Sequence, residues 1–543
     1  MVVRRNSPTS VAALMTPAWY GMRAMDGALP ALWRSLSART SRWPSVRMLR
    51  EDRVLLGLTL LLSVVSLAPM FLTPILPLVD LGSHVGAAGL LDELVRGAPV
   101  VSERYAINAS WLPYWVGYFL MGALDAIGGP FFAAKATVAI VVLLVPVATM
   151  RLLVALGRSP RLGLWAFLLC WDVNLYWGWF TFQLGMGLAL WAIAWIIEAS
   201  SWREGARVVP LAAVVALTHL HAVALLGVAG ALLALLKPRP LKMLAVHAIA
   251  LSGLLALLPW VLPRLLRGGT PGAWTFQQSS LADKILQLYQ YSLNTMPAAV
   301  TFTLWTFMLL LVGPLALAAL DPKPPAPRSS ALALGILASC MLLYFVLPFQ
   351  VFGAVSHFWT FPRYGTYILL ALLLLPSVGL EGRRALLLAP GIALVFAVGW
   401  DRAQQFSQYG ERVRPYLDIV AAMKPGSKFL PLDYEFHWPG AHQPTLGQLH
   451  GYAAAARSSY DPHLFDHDSS PIVYRPEGRP PEPDWFHPFE SFSMERHGQY
   501  YDYIIVHPKS RDTQLTPETA ELVREAGEWR LYAVKRRQSA ATP

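Results

Sequence analysis

The stretch Leu78–Arg104, LVDLGSHVGAAGLLDELVRGAPVVSER, follows directly after the first long apolar run of the chain. It begins with Asp80, carries His84 four residues later and continues as a short amphipathic segment. An acid at the edge of a membrane helix, with no opposite charge beside it in the sequence, costs free energy to keep there. We therefore expect Asp80 to be the chemical centre of the protein, with much of the chain arranged around it.

The composition is that of an integral membrane protein. The 543 residues are 55% hydrophobic and 14% charged, with a mean hydropathy of +0.43. A soluble chain of this length is more polar. Basic residues gather in the N-terminal segment and in short loops, as on the cytoplasmic side of a membrane. The net charge of +11 therefore does not indicate nucleic-acid binding, and Cys170 and Cys340, both in apolar runs, predict no disulfide.

Apolar runs of about 17–25 residues, the length that crosses a bilayer, recur along most of the chain. The first is Val54–Leu72, and the later segments are Trp111–Ile127, Phe131–Ala155, Leu162–Trp171, Trp179–Glu198, Val208–Leu217, Val223–Leu236, Leu241–Leu262, Ala299–Leu320, Ala331–Phe349, Tyr364–Val378 and Ala385–Trp400. This pattern predicts a mainly α, polytopic transmembrane helical bundle of about 11 to 13 membrane segments. Several of the segments are short for a full span.

Three parts are expected. Residues 1–53 form a basic cytoplasmic segment, in which Val11–Trp33 is either a helix on the anionic leaflet or a floppy tail. Residues 54–400 form the transmembrane part, with a first external loop at 73–110. Residues 401–543 lose the apolar runs and predict a small α/β extracytoplasmic domain.

Short elements are predicted within this C-terminal part. The strands are Lys428–Leu432, Tyr503–His507 and Trp529–Lys535, with a helix near Pro517–Ala526. His463, Asp466, His467 and Asp468 have the side chains of metal ligands, but no known ligand spacing supports a site. We interpret that loop as support for acceptor binding.

Loop charges predict the sidedness of the bundle. Placing the basic loops in the cytoplasm puts Asp80, the C-terminal part and the alternate loops outside. From Arg151 onward, the assignment of successive loops to alternate sides of the membrane is consistent. Between Asp80 and Arg151, however, two apolar segments occupy a stretch that allows one net crossing. Either one of them is re-entrant or interfacial, or a basic loop lies on the unexpected side.

Asp80 and His84 are the first candidates for chemistry. A spacing of four residues places both side chains on one helix face. An acid and an imidazole there form either a general-base pair or part of a site for a divalent metal ion. The bland alternative is an interfacial acid that caps the helix beginning near Gly82. The following residues, with Val85, Ala88 and Leu91 on one face, predict a helix resting in the membrane interface.

An ordered set of motifs resembles the GT-C superfamily of polytopic membrane glycosyltransferases that use polyprenyl-phosphate sugars. An acid just after the first span, followed by a His and an amphipathic helix, is similar to their first external loop. Tyr105–Tyr118, YAINASWLPYWVGY, resembles the segment that leads into an aromatic helix. Asp172–Gly187, DVNLYWGWFTFQLGMG, resembles a later aromatic turn, and Leu217–Ala222, LTHLHA, resembles a helix break near the lipid phosphate.

The resemblance implies an inverting transfer at the outer face. Asp80 would take the proton of the acceptor hydroxyl or help to hold a metal, with His84 beside it. The leaving group would be a polyprenyl phosphate, an anion that needs cationic neighbours. The remaining substrate-binding candidates are Arg363, His357, His219, His221, Asp172, Asn174 and Arg104. Each has a plain alternative: a snorkelling arginine, a core histidine, a hydrogen-bonded helix end or a surface charge.

The expected partners are a polyprenyl-phosphate-linked sugar donor and membrane lipid, with no nucleic acid. No cofactor is certain, and a divalent metal ion stays open. Two competing interpretations are a transporter or flippase of a lipid-linked solute and a non-catalytic membrane scaffold. Transporters often show paired halves and sites at the bilayer midplane, whereas the suspicious polar residues of this chain lie at predicted outer helix ends.

Overall fold

The computed structural model describes residues 51–535 apart from 109, 111–112, 267–274, 297–299, 321–325, 353–356, 466–469, 478, 480, 485–490 and 512–514. The predicted N-terminal helix Val11–Trp33 and the metal-like side chains of Asp466, His467 and Asp468 lie outside these residues.

The principal helices are α1 (Arg53–Leu67), α2 (Leu81–Val95), α3 (Trp115–Gly128), α4 (Pro130–Ala155), α5 (Phe180–Glu198), α6 (Trp202–Ala216), α7 (Leu220–Leu236), α8 (Pro240–Leu251), α9 (Val300–Ala319), α10 (Pro327–Val346), α11 (Gly365–Leu372), α12 (Ala389–Ala422) and α13 (His450–Arg457). Shorter α-helices include Pro99–Ser102, Val173–Tyr176, Leu258–Leu266 and Leu281–Leu286. There are 3-10 segments at Ala68–Phe71, Pro160–Leu169, Ser252–Leu257, Pro362–Tyr364 and Gly382–Leu388.

Seven helical stretches within the described residues are long and apolar enough to cross a membrane. They are Arg53–Phe71, Pro130–Ala155, Phe180–Glu198, Pro240–Pro263, Val300–Ala319, Pro327–Val346 and Gly382–Ala422. The chain is therefore a multi-pass, mainly α membrane protein, as the sequence predicted. Helix α5 is buried almost throughout, whereas α9 exposes most of its apolar side chains. Because α9 is apolar on all faces, its exposed side suits contact with lipid.

The predicted number of segments is higher than the number of full-length spans. The apolar segment at Leu162–Trp171 forms a 3-10 stretch of 10 residues, and the segment at Tyr364–Val378 contains an α-helix of only 8. Helix α3 has 14 residues, which is about 21 Å of helix and less than the hydrocarbon thickness. Between Asp80 and Arg151, α4 alone has the length of a span, which favours the interpretation with one full crossing.

Helix α2 is not the interface helix that the sequence predicted. Its residues from Leu81 to Leu91 are almost all buried, because α13 packs against it. Three glycines, Gly82, Gly86 and Gly89, permit this approach. A Cβ at Gly82 would lie 1.8 Å from the Gln448 carbonyl oxygen, and one at Gly451 would lie 2.0 Å from the Gly82 oxygen. The apolar face thus packs on protein instead of lipid.

The C-terminal residues continue from the membrane part through α12, a single helix of 34 residues that crosses the boundary predicted at Trp400. It leads to a four-stranded sheet of order β4-β6-β8-β7, formed by β4 (Phe429–Asp433), β6 (Tyr503–His507), β7 (Ala520–Ala526) and β8 (Trp529–Val534). Strands β4 and β6 are parallel, and β6, β8 and β7 are antiparallel.

Three of these strands were predicted within a residue or so, but the predicted helix near Pro517–Ala526 is wrong. Those residues form β7, whose pairing with β8 across a tight turn overrides the helical propensity of its Glu, Leu and Arg residues. Two further antiparallel pairs lie outside this sheet. Strand β1 (Tyr105–Ile107) pairs with β5 (Ile472–Tyr474), and β2 (Thr275–Gln277) pairs with β3 (Gln350–Phe352). The β1–β5 pair ties the first loop to the C-terminal part.

Candidate active site

Asp80 stands at the N-terminal end of α2, but it does not cap that helix with its side chain. Its Oδ2 accepts a hydrogen bond from Trp179 Nε1 at 3.1 Å, and its Oδ1 accepts one from Gln448 Nε2 at 2.9 Å. The cap alternative is therefore wrong, because both oxygens point to groups outside the helix. Burial raises the pKa of Asp80 to about 7, against the opposing effect of the nearby Arg363 and of these two donors.

The backbone around Asp80 is fixed by the turn that precedes α5. The Asp80 N–H donates to the Trp177 carbonyl at 3.1 Å. Gly178 follows with a φ of +82°, and a Cβ there would lie 2.6 Å from the Asp80 nitrogen. Only glycine fits, because both the positive φ and the close approach exclude a side chain. The aromatic turn of Asp172–Gly187 thus packs directly on the start of the first external loop at Asp80.

Arg363 lies on the other side of the same tryptophan. Its guanidinium carbon is 3.5 Å from the centroid of the Trp179 ring, a close cation–π contact. The side chain is 9% exposed, and its Nε is buried without a hydrogen-bond partner among the described residues. Its remaining polar contact is a long one of 3.5 Å from Nη2 to the Phe358 carbonyl. No carboxylate in the described structure forms an ion pair with it, so its hydrogen-bonding capacity is left for another anion.

Three histidines form a group, and two of them, His219 and His221, lie near the Arg363 charge. The His221 ring lies 5.2 Å from His219 and 5.6 Å from His357, measured between centroids. His219 Nδ1 accepts the backbone N–H of His221 at the start of α7. A neutral imidazole that accepts at Nδ1 carries its proton on Nε2. Burial and Arg363 lower the pKa of His219, so it is a neutral Nε2–H donor at neutral pH.

His84 contacts the same aromatic shell from α2. Its Nδ1 lies 2.7 Å from the Tyr118 hydroxyl, and its ring meets Phe180 and Phe465 edge-on. His84 thus lies one helical turn after Asp80, and its backbone N–H donates to the Asp80 carbonyl at 3.1 Å. Its hydrogen bond is directed to Tyr118 rather than to the Asp80 carboxylate.

Asp172 and Asn174 serve the turn itself. The Asp172 carboxylate caps Val173–Tyr176 by accepting from the Leu175 N–H at 3.0 Å, and it accepts further bonds from Asn174 and Gln183. It is completely buried. Asn174 also reaches the Arg363 carbonyl at 3.3 Å. These contacts are those of the hydrogen-bonded helix-end alternative, and substrate binding by Asp172 and Asn174 stays a prediction.

Arg104 lies elsewhere. It donates to the carbonyl oxygens of Gly426 at 2.9 Å and Ser427 at 3.4 Å, and so joins the first loop to the C-terminal part. These contacts agree with the surface alternative, and among the described residues no hydrogen bond joins Arg104 to Arg363, His219, His221 or His357.

The site does not have the donor set of a divalent cation. Among the described residues, no group of three or more His, Cys, Asp or Glu side chains is arranged to hold a metal ion. The Asp80 oxygens accept from N–H groups, and its charged neighbour is a guanidinium. We therefore derive no step through a metal.

Sequence reasoning missed Gln448 and underused Trp179. Gln448 is 368 residues from its partner Asp80 in a segment without a motif, so no local signal pointed to it. Trp177, Trp179 and Trp359 form a cluster, with ring centroids 5.0 to 6.4 Å apart. An interfacial aromatic belt and an aromatic surface that binds sugars contain the same residue types, so the sequence does not distinguish them. The contacts of Trp179 with Asp80 and Arg363 place this cluster at the candidate site.

The fold and site define a multi-pass membrane protein in which the Asp80 carboxylate and the Arg363 guanidinium both contact the Trp179 indole. No protein-family model matches the sequence, and no curated protein matches it. Among solved structures, ArnT from Cupriavidus metallidurans bound to undecaprenyl phosphate is similar, with a TM-score of 0.48 and 13% identity over 91% of this chain and 99% of that chain. The apo state of ArnT gives a TM-score of 0.47 and 12% identity over 88% and 97%.

Each of these two similarities has a TM-score below 0.5 and an identity of 13% or less. Because the identity and the TM-scores are this low, we assign no residue role from them. The proposals below rest on the contacts of this chain.

Proposed function

We propose that the protein is an inverting integral-membrane glycosyltransferase. It moves a sugar from a polyprenyl-phosphate carrier to a hydroxyl of a lipid, glycan or protein acceptor at the outer face of the membrane. The observation that carries the proposal is the placement of Asp80 and Arg363 on the edge and the face of the same Trp179 ring. A base and an unpaired cation then face one reaction centre.

Asp80 has the properties of a general base for this reaction. A base is most effective when its pKa is close to the working pH, because it is then ionised and still able to hold a proton. Burial brings the pKa of Asp80 to about 7. The acceptor oxygen attacks the anomeric carbon, its proton passes to the Asp80 carboxylate, and the bond from that carbon to the phosphate oxygen breaks.

The departing polyprenyl phosphate leaves with the bonding electron pair and needs donors to hold it. Arg363 supplies a guanidinium whose Nε lacks a partner among the described residues, and His219 supplies an Nε2–H. A guanidinium binds phosphate oxygens through paired hydrogen bonds. These two side chains therefore suit the phosphate of the donor, with His221 and His357 beside them.

Inversion follows from a single displacement, since a retaining mechanism needs a second carboxylate as nucleophile. The turn that packs against Asp80 contains a further acid, Asp172. It is fully buried and hydrogen-bonded within that turn, so it does not provide one.

The test is transfer by membranes or purified protein supplied with a panel of radiolabelled polyprenyl-phosphate sugars. We expect Asp80→Asn to lose transfer by about a hundredfold or more while it keeps its elution profile in detergent. Transfer at the wild-type rate by Asp80→Asn would exclude the base role.

The flippase alternative has its own readout. Reconstituted protein would move a fluorescent polyprenyl phosphate between leaflets without any acceptor. Acceptor-independent movement that survives Asp80→Asn, together with no transfer from any donor, would replace the enzyme by a transporter.

Orientation and domain division belong to the same proposal. The N-terminal segment 1–53 is cytoplasmic, and the residues after α12 lie outside with Asp80. This assignment is supported by the contacts that join α2 to α13 and β1 to β5, because those elements must share one side of the membrane. A topology reporter fused after Pro543 should be active outside the cytoplasm, and a cytoplasmic signal would contradict the orientation.

A further inference from the structure

The Asp80 carboxylate is held by two parts of the chain that are far apart in sequence. Trp179 reaches Oδ2 from the membrane part, and Gln448 reaches Oδ1 from the segment before α13. We infer that Gln448 is a positioning residue, through which the C-terminal part sets the orientation and charge of the Asp80 base. This inference rests on the proposed function for its catalytic consequence, but the hydrogen bond is testable without it.

The Gln448 side chain has few other contacts to explain it. Its Oε1 is buried and has no hydrogen-bond partner among the described residues. A buried amide oxygen without a partner is costly. Gln448 therefore carries the cost of an unsatisfied Oε1, while its N–H group donates to Asp80.

The backbone of Gln448 is fixed against α2 within narrow limits. Its carbonyl oxygen would lie 1.8 Å from a Cβ at Gly82, and the Gly82 oxygen would lie 2.0 Å from a Cβ at Gly451. Glycines on both sides thus determine the register of α13 along α2. A shift of either helix would move the amide away from the carboxylate.

Buried hydrogen bonds hold the same segment from behind. The hydroxyls of Tyr409 and Tyr416 on α12 donate to the carbonyl oxygens of Thr445 at 2.9 Å and Leu449 at 3.1 Å. His450, the next residue, is bonded to the buried carboxylate of Asp461. Helix α12 is continuous with a membrane span, so the position of Gln448 is coupled to the bundle.

A neutral amide that donates to a carboxylate favours its ionised form. Among the described residues, the charged and titratable groups near Asp80 are Arg363 and Tyr118 on α3, with His84 one turn along α2 and His219 and His221 beside Arg363. Arg363 also favours the ionised form, whereas burial opposes it. Without the Gln448 donor, less remains to offset the effect of burial. The pKa of Asp80 therefore rises further, and the carboxyl group becomes harder to ionise.

The first experiment measures thermal unfolding of the detergent-solubilised full chain at pH 5.5 and at pH 8. Its variants are Gln448→Leu, Asp80→Asn and the double variant. A carboxyl group whose folded pKa is raised loses stability as pH rises from its unfolded pKa toward its folded one. We expect Gln448→Leu to lower Tm more at pH 8 than at pH 5.5, and this pH difference to vanish in the Asp80→Asn background.

The control is Gln443→Leu, which removes another buried glutamine of the same segment, for which the described residues show no hydrogen bond to Asp80. It should lower Tm equally at both pH values. An equal loss at both pH values for Gln448→Leu, unchanged by Asp80→Asn, would overturn the inference.

The second experiment uses transfer activity. Gln448→Leu should lower kcat about tenfold, leave the KM for the lipid donor near the wild-type value, and move the acidic limb of the pH profile upward. Gln448→Glu should move that limb further, because two neighbouring carboxyl groups cannot both ionise readily. A purely structural glutamine would leave the pH profile of Gln448→Leu at its wild-type position, and that result would contradict the inference. If no variant or wild type transfers any sugar while the Tm result holds, the proposed function fails and the hydrogen-bond assignment stands.

Discussion

Two acids that look alike in the sequence have opposite surroundings in the fold. Asp80 and Asp172 each follow an apolar run, and each precedes a helix. Asp172 caps its own helix and is buried, with donors from its own turn, from Gln183 on α5 and from Thr366 on α11. Asp80 leaves its helix uncapped, keeps part of its surface exposed, and takes its donors from two distant segments.

The difference shows what makes an acid structural or chemical in an apolar chain. A carboxylate whose lone pairs are taken by its own turn stabilises that turn and has little capacity left for a substrate. A carboxylate fixed by one donor on each oxygen is oriented but retains lone pairs. Asp172 holds the turn that carries Gly178 and Trp179, and those two residues in turn position Asp80.

The largest expected effect separates the two acids directly. Asp172→Asn places an amide against existing donors and should cost about 2 kcal/mol of stability, while transfer per folded molecule falls far less than in Asp80→Asn, because the Asp80 carboxylate is retained. Asp80→Asn should do the reverse, with transfer lost and Tm at pH 8 unchanged or higher. Measurement of kcat and Tm on both variants checks this, and equal loss of transfer in both would erase the distinction.

Arg363 gives the next largest effect. Arg363→Ala should raise the KM for the lipid donor about tenfold, with a smaller change in the KM for the acceptor, and Arg363→Lys should be intermediate because an ammonium lacks the paired donors. Arg402 is a matched control, since it also lies against a tryptophan, at 5.3 Å from the Trp171 ring. Arg402→Ala should lower Tm and leave the donor KM unchanged. An unchanged donor KM in Arg363→Ala would remove Arg363 from the phosphate site.

Gly178 tests the contact between the two turns. Gly178→Ala strains a φ of +82° and pushes a Cβ to 2.6 Å from the Asp80 nitrogen, so both Tm and kcat should fall. Gly157→Ala strains a φ of +67° with open space around the Cβ and should cost only about 1 kcal/mol, with kcat unchanged. Equal kcat in the two variants would show that the position of Asp80 does not depend on Gly178.

The smallest effect is a pH dependence. Because Asp80 must be ionised to accept a proton and its pKa is about 7, the transfer rate should rise with pH through the neutral range and level off above it. Steady-state rates across about pH 5.5 to 8.5 check the direction. A rate that falls over this range would assign the titration to a group that must be protonated.

The sequence determined the class of the protein. Apolar length alone predicts membrane helices, because backbone groups in lipid must be satisfied within a helix. An acid beside an apolar run marked Asp80, and a spacing of four residues placed His84 on the same helix face. The LTHLHA segment indicated His219 and His221 near the lipid phosphate, and Arg363 was a further substrate-binding candidate. The fold brings those three residues together.

The tertiary structure decided which polar residues are free to act. Whether an acid caps its helix depends on the dihedral angles and neighbours of one turn, which separated Asp172 from Asp80. The packing of α2 on α13 depends on glycines in both helices. From the sequence alone, α2 was predicted to be an interface helix and α13 to be part of a separate small domain. Gln448 meets Asp80 across 368 positions, and such a contact has no local signature because it results from the packing of whole helices.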